Sequence, residues 1–172
     1  GVYVSSGAVF SDSVVSNNTC TGSGGGLYAD GSLDLSRCLV AGNRSTGPGG
    51  GLYACAKVNV TGCTFADNAA SNGGGVQFTN AEGSRIGFSQ LVGNSATSYG
   101  GGIGIQDAAV SVSDCLIQKN TASYRGGGID GYGASGSTVD RCVIDSNSAS
   151  SEGGGVISDN VKVRNCLVVS NR

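Results

Sequence analysis

The sequence predicts an all-β fold: a single-stranded, right-handed parallel β-helix of about 6–7 coils, each 24–27 residues long and holding three strands. Three observations carry this expectation. Six Gly-Gly-Gly triplets begin at Gly24, Gly49, Gly73, Gly100, Gly126 and Gly153, at steps of 25, 24, 27, 26 and 27 residues. A period in that range belongs to units that cannot bury an apolar face alone and must stack on their neighbours. Aligning the units on their glycines brings apolar, thiol and amide residues into fixed columns. Between the bends, apolar and polar positions alternate with period two, which describes strands, and no window supports a helix.

Each element follows in order along a unit. The first strand begins after the triplet with an apolar residue: Leu27, Leu52, Val76, Ile103, Ile129 and Val156. The second is marked by Phe10, Leu35, Val60, Ile86, Val112, Val139 and Val163. A small, slightly polar column comes next, made of Ser13, Cys38, Cys63, Ser89, Cys115, Cys142 and Cys166. Two residues on, Val15, Val40, Phe65, Leu91, Ile117, Ile144 and Val168 mark the third strand. Three residues later an Asn closes it, at Asn18, Asn43, Asn68, Asn94, Asn120, Asn147 and Asn171. Pairing each strand with its equivalent one coil away makes every sheet parallel, and parallel crossovers are nearly always right-handed. A solenoid grows along one axis, so residues 1–172 are expected to form a single domain.

Two other folds fit parts of this pattern. A Gly- and Ser-rich chain can be a disordered linker, but such linkers have no fixed apolar columns. Leu33-Asp34-Leu35-Ser36-Arg37-Cys38-Leu39 matches the strand of a leucine-rich repeat. That repeat continues into a helix or 3₁₀ segment, whereas here a Gly-rich bend leads to a second alternation at Gly51-Leu52-Tyr53-Ala54.

Composition narrows the function classes. A net charge of −2 with scattered basic residues gives no footprint for phosphate backbones, so nucleic acid is not an expected partner. No apolar run approaches the roughly 20 residues of a membrane span, and a secretion signal is expected to lie outside these residues. With no His and no Cys-x-x-Cys, neither a metal nor another cofactor is expected.

The Asn column and the glycines together, as in Phe65-Ala66-Asp67-Asn68-Ala69-Ala70 followed by Gly74-Gly75-Val76, resemble the paired FxxN and GGAI repeats of chlamydial polymorphic outer membrane proteins. The small residue two after each Asn fits as well: Cys20, Ser45, Ala70, Ala96, Ala122 and Ala149. The Phe of FxxN is mostly aliphatic here, and a third Gly replaces the Ala of GGAI. The resemblance implies a passenger-like stalk of a secreted or autotransported surface protein, often adhesive, related in shape to pectin-lyase-like β-helices. It does not imply lyase activity.

The Asn column is expected to form an internal ladder in which each amide bonds its equivalent about 4.8 Å along the axis. Asn17, Asn43 and Asn59 begin glycosylation sequons, but Asn43 belongs to the inward column and should be unreachable once folded. Cys38, Cys63, Cys115, Cys142 and Cys166 are expected to stack as structural thiols, with bridges between rungs disfavoured by geometry. Cys20 falls in the small-residue column, and Cys55 is the thiol expected to be exposed or bridging.

Polysaccharide-cleaving enzymes need carboxylates gathered on one face. Outward positions of the first strand run Tyr3, Tyr28, Tyr53, Gln77, Gly104, Asp130 and Ile157. Asp107, Asp130 and Asp159 fall within a few rungs of one another beside Tyr132, as a candidate binding cluster or as ordinary surface acids. Tyr3, Tyr28 and Tyr53 form a candidate ladder for sugar rings or a protein partner, or a simple cross-strand stack. Coil lengths vary little, so no groove is expected. The chain opens at Gly1, in the third-glycine slot of a triplet, and stops one residue after Asn171, without a polar cap at either end. A segment of a longer surface protein is expected, with head-to-tail stacking of copies as the alternative. The expected function is a non-catalytic extracellular structural or adhesive module that binds a glycan or a host cell-surface protein. The alternative is a carbohydrate-active β-helix.

Overall fold

The computed structural model describes residues 1–172, and every strand pairing in it is parallel. The first sheet stacks Val2–Val4, Leu27–Ala29, Leu52–Ala54, Val76–Thr79, Ile103–Gln106, Ile129–Tyr132 and Val156–Ser158. A second stacks Ala8–Ser11, Leu33–Ser36, Val58–Thr61, Arg85–Gly87, Ser111–Ser113, Thr138–Asp140 and Lys162–Arg164. The third stacks Val14–Ser16, Leu39–Ala41, Thr64–Ala66, Gln90–Val92, Leu116–Gln118, Val143–Asp145 and Leu167–Val169.

Each coil also makes a fourth, short strand that the sequence reading did not contain. Thr19–Cys20, Arg44–Ser45, Ala69–Asn72, Ser95–Tyr99, Thr121–Ala122 and Ser148–Ala149 form a six-stranded sheet just beyond the Asn column. Runs as short as two residues carry too little alternation to announce a strand. They pair because the Asn corner delivers the chain extended and already in phase with the coil above.

Registers are those of the aligned columns: Leu27 pairs Leu52, Val60 pairs Ile86, and Phe65 pairs Leu91. Side chains of like size therefore lie over one another. Leu52, Val76, Ile103, Val112, Val139, Phe65, Leu91 and Ile117 are fully buried in one continuous core. Fixed phase between coils turns a weak alternation into apolar stripes, and each coil completes the burial of its neighbours.

The bends are stacked as thoroughly as the strands. Of 120 backbone hydrogen bonds, 71 lie outside the strands, so the corners are themselves ladders and not loops. Through one triplet, the N–H groups of Gly24, Gly25, Gly26 and Leu27 donate in succession to Pro48, Gly49, Gly50 and Gly51. The first Gly of every triplet is left-handed, as at Gly100 with φ +64°. The third explains the departure from an Ala: a Cβ on Gly102 would lie 2.6 Å from the Gly128 carbonyl and 3.1 Å from the Asn120 amide.

The Asn column is a hydrogen-bonded ladder. Each amide nitrogen donates to the next coil's Asn Oδ1, from Asn18 to Asn43 at 2.9 Å through Asn68 to Asn94 at 3.0 Å and on to Asn171. The second amide proton goes to a backbone carbonyl of the preceding coil, such as Val40 O for Asn68 at 2.9 Å. Each Oδ1 also accepts a backbone N–H, so the buried amide is satisfied at every position.

The thiol column works in the same way. Cys63 Sγ lies 3.4 Å from the Cys38 N–H that donates to it, and Ser89 Oγ accepts the Cys63 N–H at 3.1 Å. Cys38 Sγ donates in turn to Ser36 O at 3.2 Å. A hydroxyl and a thiol each supply one donor and one acceptor, which is why Ser and Cys interchange here. All seven cysteines are free, and Cys55, expected exposed or bridging, is half-buried with its thiol 3.6 Å from Tyr28 Oη.

Candidate functional site

The outward face of the first sheet divides in two. Over the first three coils Tyr3, Tyr28 and Tyr53 stack, with ring centroids 5.3 and 5.1 Å apart. The Tyr3 hydroxyl donates to Asp30 Oδ2 at 3.2 Å. The Tyr28 hydroxyl is pushed up to about 12 by its hydrogen bond with Cys55 and then by burial, so it stays a neutral phenol.

From Gln77 through Gly104 to Asp130 the same row is covered. Gln77 and Asp130 are only 4% and 5% exposed, where the alternation predicted solvent-facing positions. The end of the fourth strand and the residues that follow it lie beside them, with Tyr99, Arg125 and Glu152 bridged coil to coil. A one-residue irregularity opens this edge. Asn68 to Gly73 spans one position fewer than Asn94 to Gly100, and the register shifts between Ala70 and Asn72, pairing Asn72 with Tyr99.

The result is a cleft of about 280 Å³ lined by Asn72, Gln77, Tyr99, Gly104, Gln106, Arg125, Asp130 and Tyr132, along with Ile105. This corrects the expectation that no groove would form. Even coil lengths argue against long walls, but one shortened bend beside longer neighbours is enough.

Gly104 shapes the floor. Its missing side chain lets Gln77 lie across the next coil, with Gln77 Oε1 in the space a Cβ would take. Gln77 Nε2 donates to Phe78 O at 3.1 Å, which fixes the amide orientation, since the flipped amide would set two oxygens against each other. Gln77 Oε1 is left buried without a hydrogen-bond partner. Arg125 Nε and Asp130 Oδ2 are 2.9 Å apart and form an ion pair by distance, yet neither makes a hydrogen bond of good geometry. The Coulomb attraction is therefore present and the directional bond is not. A buried amide oxygen without a partner costs about 1–3 kcal/mol, so Gln77 Oε1 is a local cost in an otherwise satisfied solenoid. The Arg125 guanidinium also lies 5.1 Å from the Tyr99 ring centroid, and Tyr99 meets Tyr124 edge-on at 5.6 Å.

Burial pushes the Asp130 carboxyl up to about 6; Arg125 opposes the shift and Asp159 adds to it. Because the folded value lies above the unfolded one, the folded state holds the proton more tightly. The contribution of this one carboxyl is then fully present below about pH 4 and is lost as pH rises through 6. Asp130→Asn mimics the neutral acid. It is expected to raise stability at pH 7 by roughly 3 kcal/mol and to leave it unchanged near pH 3.5, as read from urea melts at both pH values.

Of the acids expected to cluster, only Asp130 lines the cleft. Asp159 is exposed yet near enough to act on Asp130, and exposed Asp107, left-handed at φ 52°, accepts from the Gln106 amide at 3.3 Å. Gln77, Gln106, Arg125 and Tyr99 were not singled out in the sequence, and the signals for them were the shortened Asn68 bend and the Gly in the outward row. Of the sequons, Asn17 is exposed, Asn59 donates to Asp34 Oδ1 at 2.7 Å, and Asn43 is fully buried. Burial raises the Cys63 thiol, and Cys142 is raised first by its hydrogen bond with Cys115 and then by burial, so neither is a ready nucleophile. No group of three or more His, Cys, Asp or Glu side chains is placed to hold a metal ion, and no helix is long and apolar enough to cross a membrane.

Residues 12–30 match the Chlamydia polymorphic membrane protein (Chlamydia_PMP) repeat. The matched stretch runs from the corner before Val15, through Asn18 and the first Gly triplet, to the end of the Leu27–Ala29 strand. A short stretch similar to that repeat thus lies within a parallel β-solenoid. No curated protein and no solved structure matches the chain.

Proposed function

We propose that this chain is a non-catalytic structural and adhesive module of a bacterial surface protein, a passenger-like stalk displayed outside the outer membrane. The observation that carries the reading is the matched repeat at residues 12–30, whose Val15, Asn18 and glycine positions recur down the whole solenoid. A stalk needs a rigid rod, and the unbroken Asn ladder with its stacked bends supplies one. Glycans or cell-surface proteins are the partners proposed for its outer face. Copies stacked end to end remain the alternative to a stalk within a longer chain.

A carbohydrate-active reading is favoured by one feature, a carboxyl with a raised pKa beside Arg125 in a cleft. Against it, glycoside hydrolysis ordinarily uses two carboxyl groups across the scissile bond, and Asp130 is the only acid lining the cleft. Fluorescently labelled module on cultured cells and on a glycan array, combined with a reducing-sugar assay, tests both. Attachment without release of reducing ends is the expected result. Turnover that disappears in Asp130→Asn would establish the enzyme reading instead.

A further inference from the structure

We infer that the cleft at the Asn72–Tyr99 register shift is a binding site for one neutral sugar residue, held by Asp130, Arg125 and Gln106 and flanked by Tyr99 and Tyr132. For its ligand's source the inference rests on the adhesive reading above; for its location it rests on the geometry alone.

Size comes first. A volume of about 280 Å³ lies just below the usual range of ligand sites, suited to a single ring and not to an oligosaccharide. Gln77 of the lining is in register with Tyr53, and through it with Tyr28 and Tyr3, so the tyrosine row continues from the edge of the cleft along the same sheet.

Charge excludes the alternatives. Arg125 alone would suit a phosphate or a carboxylate, but Asp130 sits 2.9 Å from it and Asp159 adds negative potential. An anion would meet a neutralised cation, and a cation would meet the guanidinium. A neutral ligand that both donates and accepts hydrogen bonds avoids either repulsion.

The chemistry of the lining completes the match. Asp130 accepts, Arg125 donates, and the Gln106 and Asn72 amides do both, which is the inventory that neighbouring hydroxyls on one ring require. The floor atoms Gln77 Oε1, Arg125 Nε and Asp130 Oδ2 are closed off from solvent, so a ligand meets the remaining polar atoms of these side chains together with the amides of Gln106 and Asn72. Tyr99 and Tyr132 are exposed at the rim and offer aromatic surface to the apolar face of a sugar ring.

The test is NMR titration of the isotope-labelled chain with neutral hexoses and N-acetylhexosamines, with a uronic acid and inorganic phosphate as anionic counter-probes. Saturable shifts confined to the amides of Gln77, Gly104, Gln106, Arg125 and Asp130 and the side chain of Asn72 are expected. Asp130→Asn, which the pH argument predicts to be stably folded, should bind at least tenfold more weakly, and Tyr28→Ala should bind as wild type. Tighter binding of an anionic probe, shifts at Tyr3, Tyr28 and Tyr53 in place of the cleft, no saturable shift for any sugar, or undiminished binding by Asp130→Asn would each overturn the inference. Cell attachment that persists without cleft binding would leave the adhesive reading standing and remove this one. Turnover of a sugar bound in the cleft would do the reverse.

Discussion

Replacing Asn94 by Leu is expected to destabilise the chain by about 2–3 kcal/mol, although Leu is apolar, of similar volume and placed in a fully buried column. The reason is the neighbours. Asn94 Oδ1 accepts both the backbone N–H and an amide proton of Asn68 at 3.0 Å. Its amide nitrogen donates to Phe65 O and to Asn120 Oδ1, also at 3.0 Å. The substitution leaves the Asn68 N–H and one Asn68 amide proton buried and unpaired, each costing about 1–3 kcal/mol, and takes one donor from Phe65 O. Hydrophobic gain from the Leu offsets part of this, since full burial of such a side chain is worth roughly 1.5–3 kcal/mol. Asn18→Leu supplies the contrast. Asn18 is only half-buried, and Asn43 Oδ1 keeps the Asn18 backbone N–H as a donor after the change, so a loss under about 1 kcal/mol is expected. Urea melts of the two variants decide the matter: equal losses would mean that the column is a packing stripe and not a hydrogen-bonded ladder.

How much of this was readable beforehand differs from element to element. The Asn, apolar and thiol columns were legible because inward positions tolerate few residue types, and seven stacked coils repeat the choice. The left-handed corners were not. Asp12, Arg37, Gly62, Phe88, Asp114, Arg141 and Asn165 all take positive φ at the turn between the second and third strands. Their side chains point outward, so chemistry there is unconstrained even though the backbone is fixed. Phe88 shows the extreme: it is exposed and left-handed at φ 51°, a conformation that costs a non-Gly residue roughly 1–2 kcal/mol and that the stacked coils on either side impose. Arg37 and Arg141 use the same corner to reach Asp12 and Asp114, but such exposed pairs contribute little.

The cleft was hidden for a different reason. Asp130 is an outward acid by alternation, but its burial depends on what packs beside the row: Arg125 lies against its carboxylate, and Tyr99 one coil back is paired to Arg125. Length differences of one residue look like noise in a repeat alignment. In a solenoid they are where one coil fails to cover the next, and so where a recess can form.

Gly101→Ala is expected to be strongly damaging, even though this Gly does not have a positive φ. In an open site of ordinary φ, Ala for Gly stabilises by about 0.4–1 kcal/mol through the unfolded chain. At Gly101 the added Cβ would fall inside the van der Waals contact of two backbone carbonyls, those of Gly127 and Thr121. Neither can swing aside as a side-chain end could. Relief requires the coils to separate, yet Gly101 N–H donates to Gly126 O at 3.0 Å and the triplets above and below are bonded in the same way. A loss of about 3 kcal/mol is expected, at the upper end for overpacking because the obstacle is backbone. Gly22→Ala is the matched control. Its Cβ would meet only Cys20 Sγ, at 3.7 Å, so it should gain the small entropic benefit. Because a solenoid can open at one interface while the rest holds, hydrogen exchange is the more telling readout. Faster exchange in Gly101→Ala should centre on the triplets at Gly73, Gly100 and Gly126, and the first coils should keep their protection. A Gly101→Ala chain that melts as high as Gly22→Ala would show that adjacent coils yield readily, and the account of the glycine triplets as close-approach positions would then fail.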